Sequence, residues 1–385
     1  MGAAGQIIVA ADQPCAPRVR REAGPGISVI IHRAAEAIDA LAADWTRLAT
    51  YAAEPNVFAE HWFVAASLRT MAGGSDVRLL EIRRAGRLIG VLPLIVEQGY
   101  AHLPVRFVQN WYHDHMFLGT PLVAAGEEKA FWAAALEAIG EADWAPNFLH
   151  LRGLAEGGPV HRGLGAGAVV HRRLRASLHS ALGPAAYFEQ AVGAKKRKEL
   201  RRLRKRLAEL GPVETRSLGD KADLDLWCDA YFALERKGWK GREGSALACD
   251  AATERFFRET LAAAWDAGRL QFLRLDLAGL PIAMLVNFLS PPGSFSFKTV
   301  FDEDYARFSP GVLIQIDNLA ILDRPDIDWT DSCAVDDHPM IDNLWRERRA
   351  IVRVTVPLPG ARRSAILALC RALERGSAAL RGIRL

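Results

Sequence analysis

One pattern in this chain occurs twice, and it limits the fold more than any single motif. VRLLEIRR (77–84) and LIGVLPLIVE (88–97) flank one Ala-Gly, and LQFLRLDL (270–277) and LPIAMLVNFL (280–289) flank another. Each pair reads as two strands joined by a tight hairpin, with an almost wholly apolar second strand that must be buried on both faces. Around each hairpin the order is the same: a strand, helices, the hairpin, a further strand, a helix, a strand. The residues do not repeat, but the pattern does, so the simplest architecture is two copies of one α/β unit. A length of 385 residues suits two domains, with half the residues apolar and about a quarter charged.

Helical periodicity covers 35–50, 58–71, 127–139, 185–210, 224–237, 251–267, 312–322 and 361–380. Further strands are expected at 27–32, 147–151, 169–178, 213–218, 296–302, 327–332 and 349–356. FVQNWYHDHMFLGTPLV (107–123) reads as strand, loop, strand. Residues 1–26 lack periodicity and read as a flexible tail. The division that follows is 1–26 tail, 27–180 first unit, 181–360 second unit and 361–385 closing helix.

The net charge is +4, yet Lys195 to Arg206 alone holds nine Lys or Arg against one Glu. Any electrostatic partner is first sought there. Leu200, Leu203, Leu207 and Leu210 recur at helical spacing in this stretch, so the helix docks with its basic side outward. A phosphate contact and a merely solvated face explain the run equally well. The five cysteines are widely spaced and odd in number, which argues against a disulfide framework or a zinc site; no metal is expected. The longest apolar runs fall short of the ~20 residues a spanning helix needs. The N-terminus does not read as a signal peptide, and a cytoplasmic location without membrane insertion is expected.

Four stretches could carry chemistry. The first is the strand, Ser309-Pro310-Gly311 turn and helix, where free amides and the helix dipole could hold a phosphate. The same tripeptide also caps ordinary helices. The second is the basic helix. The third is Trp111-Tyr112-His113-Asp114-His115, with two imidazoles flanking a carboxylate. This is proton-shuttle chemistry near neutral pH, or else a satisfied structural cluster. The fourth is Asp331-Ser332-Cys333 with Asp336-Asp337-His338, at a strand end where open α/β sheets present ligand-binding groups. Nothing near Cys333 in sequence would activate it as a nucleophile, whereas Asp331 or His338 could serve as a base.

AKKRKELRRLRKRLAELG (194–211), WKGREGSAL (239–247), RLDLAGLPIAMLVNF (274–288) and FKTVFDEDYARFSPGVLIQ (297–315) together resemble the GNAT-fold acetyltransferase domain of bacterial proteins associated with cellulose and other exopolysaccharide synthesis. The doubled unit is similar to the Fem peptidyltransferases, two GNAT-like domains in tandem. The resemblance implies two tandem GNAT-like domains with mixed central sheets flanked by helices. It also implies acyl transfer from acetyl-CoA or another acyl-CoA, as co-substrate, to an amine or hydroxyl. The acceptor would be a small molecule, a sugar or a cell-envelope precursor. It maps a splayed strand to 297–300 and a pyrophosphate turn to 307–312, although only Gly311 remains of the usual glycine-rich loop. Donor contacts are therefore expected at Lys298, Arg307, Ser309, Pro310, Gly311 and Val312. Acceptor contacts are expected at Trp111, His113, Asp114, His115 and Trp239. The expected base is Asp331, His338 or Asp302, and Tyr305 is a candidate acid. Two other functions remain open: a Fem-like aminoacyl transfer using charged tRNA, with RNA against the basic helix, and a noncatalytic binding protein. Outside the tRNA reading, nucleic acid is not an expected partner.

Overall fold

The protein is described from a computed structural model, covering residues 19–22, 26–100 and 103–380. The strands are β1 (Val19–Glu22), β2 (Ile27–Arg33), β3 (Arg78–Arg84), β4 (Arg87–Tyr100), β5 (Leu103–Asn110), β6 (Leu122–Val123), β7 (Phe148–Ala155), β8 (Ala168–His179), β9 (Val213–Ser217), β10 (Leu270–Leu277), β11 (Leu280–Ser290), β12 (Gly293–Phe301), β13 (Trp329–Asp331) and β14 (Glu347–Pro357). All belong to one mixed sheet, ordered β1-β2-β3-β4-β5-β7-β14-β8-β13-β12-β11-β10-β9, with β6 beside β4. The expected mixed sheets of two units are thus one continuous sheet.

Both expected hairpins form. Ala85 and Gly86 have φ of 46° and 80°, and Ala278 and Gly279 have 50° and 82°. Two successive positive φ values make the two-residue turn whose twist matches the strands it joins. Along β11, Met284, Val286 and Phe288 enter one apolar cluster and Ala283 and Leu285 another, so both faces are covered. Helices Leu224–Lys237 and Ala251–Asp266 cover the first face. Helix Pro310–Asp317 and Leu207 of the basic helix cover the second.

Several elements differ from the sequence reading. The helix expected over 185–210 is two, Pro184–Ala191 and Ala194–Ala208, because Val192 and Gly193 leave the helical region between them. Leu210 lies past the end of the basic helix and is 52% exposed, so the docking stripe is Leu200, Leu203 and Leu207. The helix expected over 35–50 breaks into Ala34–Ala37 and Ala42–Ala49. β1 lies inside the segment expected to be a tail and pairs with β2. The rest of that segment, apart from Gly26, lies outside the described residues.

The two halves meet through strands distant in sequence. β14 enters between β7 and β8, antiparallel to both. β13 joins β8 antiparallel and β12 parallel. Phe58, from the first half, is fully buried, with its ring centroid 5.3 Å from that of Phe295 on β12 and 5.7 Å from that of Phe117. Glu60, two residues on, accepts from Ser290 Oγ at 2.8 Å and pairs with Arg269 at 3.2 Å. Truncating a wholly buried aromatic removes its transfer energy and leaves a cavity. Phe58→Ala is expected to cost about 3–5 kcal/mol, read as a lower urea midpoint with an unchanged slope.

Candidate active site

The sheet opens into a wedge at the seam. Pairing of β12 with β13 ends at Phe295–Asp331, and pairing of β8 with β13 ends at Ser177–Asp331. Beyond that rung β12 runs on through Ser296–Phe301, paired only with β11. Ala176 O still accepts from Ser332 N at 3.1 Å, and from there β8 runs back through residues 168–175, paired only with β14. Each strand therefore turns an unpaired inner edge toward the gap. The resemblance placed a splayed strand at 297–300, and those residues border the gap.

The register explains how Lys298 reaches its position. Val286 pairs with Lys298 and Asn287 with Ser296, so Phe297 is an extra residue in β12. Such a bulge reverses the alternation of side chains that follow it. Phe295, Phe297 and Val300 all join the cluster under helix Leu224–Lys237. Lys298 turns to the same face, with its Nζ 5.3 Å from the ring centre of Phe297 and 5.7 Å from that of Phe117. On the opposite face Gln315 donates to Thr299 Oγ1 at 3.1 Å.

The loop 111–117 from the first half closes over Lys298. Arg175 Nη1 donates to Phe117 O at 2.7 Å and fixes the loop's end. His113 stacks on Phe63, and His115 stacks on Phe256 of the second half. The Nδ1 of His113 accepts from His115 N at 3.3 Å, which leaves the proton on Nε2; that atom is buried without a partner, as is Nδ1 of His115. Burial, reinforced by the Lys298 cation, lowers both imidazoles to about 3. They are neutral at physiological pH and poor proton shuttles, so of the two readings of this loop the geometry disfavours the shuttle. Burial also lowers Lys298, to about 8, with Lys240 acting in the same direction and Glu235, Cys333 and Asp114 opposing. Glu235 is buried, accepting from Lys240 Nζ at 2.9 Å and Leu247 N at 2.8 Å. Among the described residues, Lys298 is thus a cation in an aromatic setting with no ion pair of its own.

The structure gathers Lys298, His113, Asp114 and His115, sets the Trp111 ring 5.4 Å from that of His113, and places most of the other expected residues elsewhere. Trp111 is buried in the core of the first half. Trp239 is 51% exposed and lines a small cavity of about 50 Å³ with Glu235, Lys240, Val300 and Phe301. Its amide donates to Glu303 at 2.7 Å. Asp302 accepts from Lys237 at 2.8 Å and caps Asp304 N at 3.0 Å, so it holds a turn. Tyr305 packs against the apolar cluster below the Ser-Pro-Gly helix, and Arg307 is exposed, 4.7 Å above Phe308. His338 is half-buried, and its Nδ1 has no partner. Asp331 is wholly buried between Arg175, at 2.6 Å, and Arg349, at 3.1 Å. Its Oδ1 accepts from Cys333 N at 2.9 Å. A wholly enclosed carboxylate with both oxygens held by two guanidiniums and an amide has no free lone pair within reach of an acceptor's proton, so it does not serve as the base. Burial drives the Cys333 thiol far up, away from nucleophilic thiolate.

The Ser-Pro-Gly turn does not, in this conformation, fit the pyrophosphate of a CoA. Ser309 O accepts from Val312 N at 2.9 Å and from Leu313 N at 3.0 Å, and Pro310 has no N–H. Gly311 is buried, and a Cβ there would meet Phe301 at 3.0 Å and Met340 at 3.1 Å. Val312 packs against an apolar cluster. The segment between β13 and β14 thus fills the cradle with Met340.

Comparison with known proteins agrees with the architecture. Residues 194–320 match the Acetyltransf_6 family, described as an acetyltransferase (GNAT) domain. Residues 194–320 are thus a GNAT-type acyltransferase domain, and the sheet joins two GNAT-like units. A structure titled as FemX is 9% identical, covers 82% of this chain and 96% of its own, and has a TM-score of 0.54. The C-terminal domain (DUF2156) of a putative lysylphosphatidylglycerol synthetase from Agrobacterium fabrum is 11% identical over 87% of this chain and 95% of its own, with a TM-score of 0.52. A conserved protein of unknown function from Bacteroides thetaiotaomicron is 10% identical over 83% and 97%, with a TM-score of 0.53. At these identities the likeness is one of fold. No curated protein matches the chain. Among the described residues, no helix is long and apolar enough to cross a membrane.

Glu235, Lys240, Phe117 and the two arginines about Asp331 were not singled out from the sequence. Glu235 carried a faint signal: a carboxylate one turn beyond Tyr231 on the buried face of its helix. Because Lys298 falls to about 8 from 10.5 on folding, its burial as a cation costs stability below about pH 8. That cost disappears as pH rises toward the unfolded value. Lys298→Met is expected to stabilise the protein near pH 7 by on the order of 1–3 kcal/mol, with the gain shrinking toward about pH 10. Urea unfolding at both pH values measures this.

Proposed function

We propose that the chain transfers an acyl group from an activated donor to an amine or hydroxyl at the wedge between β12 and β8, with Lys298 beside the reacting carbon. The observation that carries this reading is the unpaired edge of β12 with a bulge-directed, unpaired lysine cation on it. An open strand edge can pair with the amides of an extended donor arm. The acceptor nitrogen or oxygen attacks the acyl carbonyl carbon, forming one bond to it, and the carbonyl oxygen becomes an oxyanion. A preoriented cation in an apolar pocket stabilises that charge far better than water does. Collapse breaks the bond to the thiolate or alkoxide leaving group, which takes up the proton the acceptor loses. A side chain titrating near 8 can relay that proton.

The acceptor class proposed is an amino sugar or other cell-envelope precursor, as the exopolysaccharide-associated and Fem resemblances imply. Acyl-CoA is the first donor to test. The filled Ser-Pro-Gly cradle favours a second reading, in which the acyl or aminoacyl group arrives on another carrier such as charged tRNA. Thermal shift with acetyl-CoA and coenzyme A, alongside ribonuclease sensitivity of the activity, separates the two. A shift with acetyl-CoA and an activity indifferent to ribonuclease support CoA; the reverse supports tRNA.

The role of Lys298 has its own test. If the ammonium is required, kcat/KM falls as pH rises through about 8. Lys298→Met should lose at least a hundredfold in kcat while remaining folded. Lys298→Arg should keep partial activity and lose the falling limb, because a guanidinium does not titrate there. Full turnover in Lys298→Met would remove this assignment.

A further inference from the structure

We infer that the face of β7, β14 and β8 beside the wedge carries a binding site for a phosphate or diphosphate group, built from Arg152, Arg173 and Arg353. The strand registers put these residues together. On β14, Arg353 pairs with His171 of β8, and Ile351 pairs with Arg173. Directly paired residues share a face, so Arg173, Arg353 and His171 project to the same side. Arg349 and Arg175 are paired one rung pair further along that face, where Arg175 holds the carbonyl of Phe117. The arginine face is therefore the Lys298 face, on the β8 side of the gap.

Both strands flanking Arg353 are irregular at its rung. On β7, pairing passes from Val352–Leu154 to Val354–Leu151, so Arg152 and Gly153 together oppose Arg353. On β8, pairing passes from Arg353–His171 to Val354–Val169, leaving Val170 extra. Bulges of this kind re-aim side chains and collect beside functional sites. Here two of them converge on one arginine. Gly153 has a φ of 76°, and a Cβ on it would meet Gly119 N at 3.0 Å and Tyr112 at 3.1 Å. Gly119 N donates to Gly153 O at 2.8 Å. The bulge on β7 is thereby locked to the end of the Trp111–Gly119 loop, and Arg152 lies 4.6 Å above the ring of Tyr112.

Among the described residues, the side chains of Arg152, Arg173 and Arg353 form no ion pair and no hydrogen bond. Their neighbours on the sheet behave differently: Arg172 is bound to Glu156 at 2.6 Å, and Arg175 and Arg349 hold Asp331. Arg353 and His171 are exposed and Arg152 and Arg173 half-buried, so a ligand can reach all of them. Arg152 and Arg173 both act to depress Arg353, after burial. Three mutually repelling forks held on a rigid sheet are unfavourable alone and favourable around a multiply charged oxyanion. The basic helix has more charge, but its cations are spread along a solvated face, and several are engaged by Glu189, Glu199 and Asp317.

The phosphate could belong to the donor or to the acceptor; that it serves acyl transfer rests on the proposed function, but its binding does not. The test titrates inorganic pyrophosphate into the full-length protein by calorimetry. Saturable binding is expected, weakened at least tenfold by the combined Arg173→Gln and Arg353→Gln substitutions and unchanged by Arg206→Ala on the basic helix. Unliganded melting temperatures confirm folding, and the single Arg353→Gln variant, at an exposed position, serves if the double variant melts early. Coenzyme A competing with pyrophosphate assigns the site to the donor. A sugar nucleotide diphosphate competing where coenzyme A does not assigns it to the acceptor. Absence of pyrophosphate binding, equal binding by wild type and the arginine variants, or saturation by tRNA without any by pyrophosphate overturns the proposal. Turnover plays no part in this readout, so its failure and that of the acyl-transfer reading are distinguishable.

Discussion

Arg175 and Asp331 meet, wholly buried, at the rung where the two halves of the sheet join. Two charges taken out of water at that depth are costly, and their attraction compensates only when the geometry is close and the remaining valences are filled. Here both oxygens of Asp331 are engaged, by Arg175, Arg349 and the Cys333 amide, and a free Nη1 proton of Arg175 goes to Phe117 O. Hydrophobic residues of the same size could fill this space, but they could not end β13 where it ends. By capping Cys333, Asp331 turns the chain out of the sheet after three strand residues. The missing continuation of β13 is what leaves β12 and β8 with open edges. One ion pair thus closes the seam and creates the wedge.

The same contact couples the site to both halves. Lys298 belongs to the second half, the loop over it to the first, and Arg175 supports that loop from within the sheet. The residues that hold the loop are aromatic on both sides, Phe63 from one half and Phe256 from the other. An aromatic shell excludes water and keeps the two histidines neutral, so the positive charge of Lys298 is not shared. In that environment the charge is felt more strongly by any oxyanion formed beside it than it would be in solvent.

How much of this could be read in the sequence follows from the range of each interaction. The Ala-Gly hairpins were legible because a two-residue turn is decided by its own residues. The apolar second strands were legible because burial on two faces leaves a continuous apolar run. Lys298 and the 111–115 loop were each visible as chemistry, but their meeting depends on β14 passing between β7 and β8, a pairing of residues some two hundred positions apart. Asp331 looked like a base because strand ends often present ligands, and only the arginines on β8 and β14 reveal it as the centre of an ion pair. The bulge at Phe297 has no signature in its own residues, since register is set by both strands. Gly193 was the local signal that the long helical period would break.

The turn and the basic helix are phosphate candidates by local features alone: a glycine at a helix start and a run of like charges. Neither feature alone holds an anion. A turn needs free amides, and Pro310, Ser309 O and Met340 leave few at this one. A charged helix needs its cations to converge, and these diverge around its axis. Convergence requires a scaffold that sets side chains at fixed spacing on one face, and a sheet does so whenever neighbouring strands are in register. Arg152, Arg173 and Arg353 come from three strands and are spread over two hundred residues of sequence, so no local reading could collect them. Their lack of carboxylate partners is the informative property. Among the described residues most buried or half-buried arginines have found an acid; half-buried Arg152 and Arg173 and the exposed Arg353 beside them have not, and on the face that also carries Lys298 they mark where negative charge is to be supplied from outside.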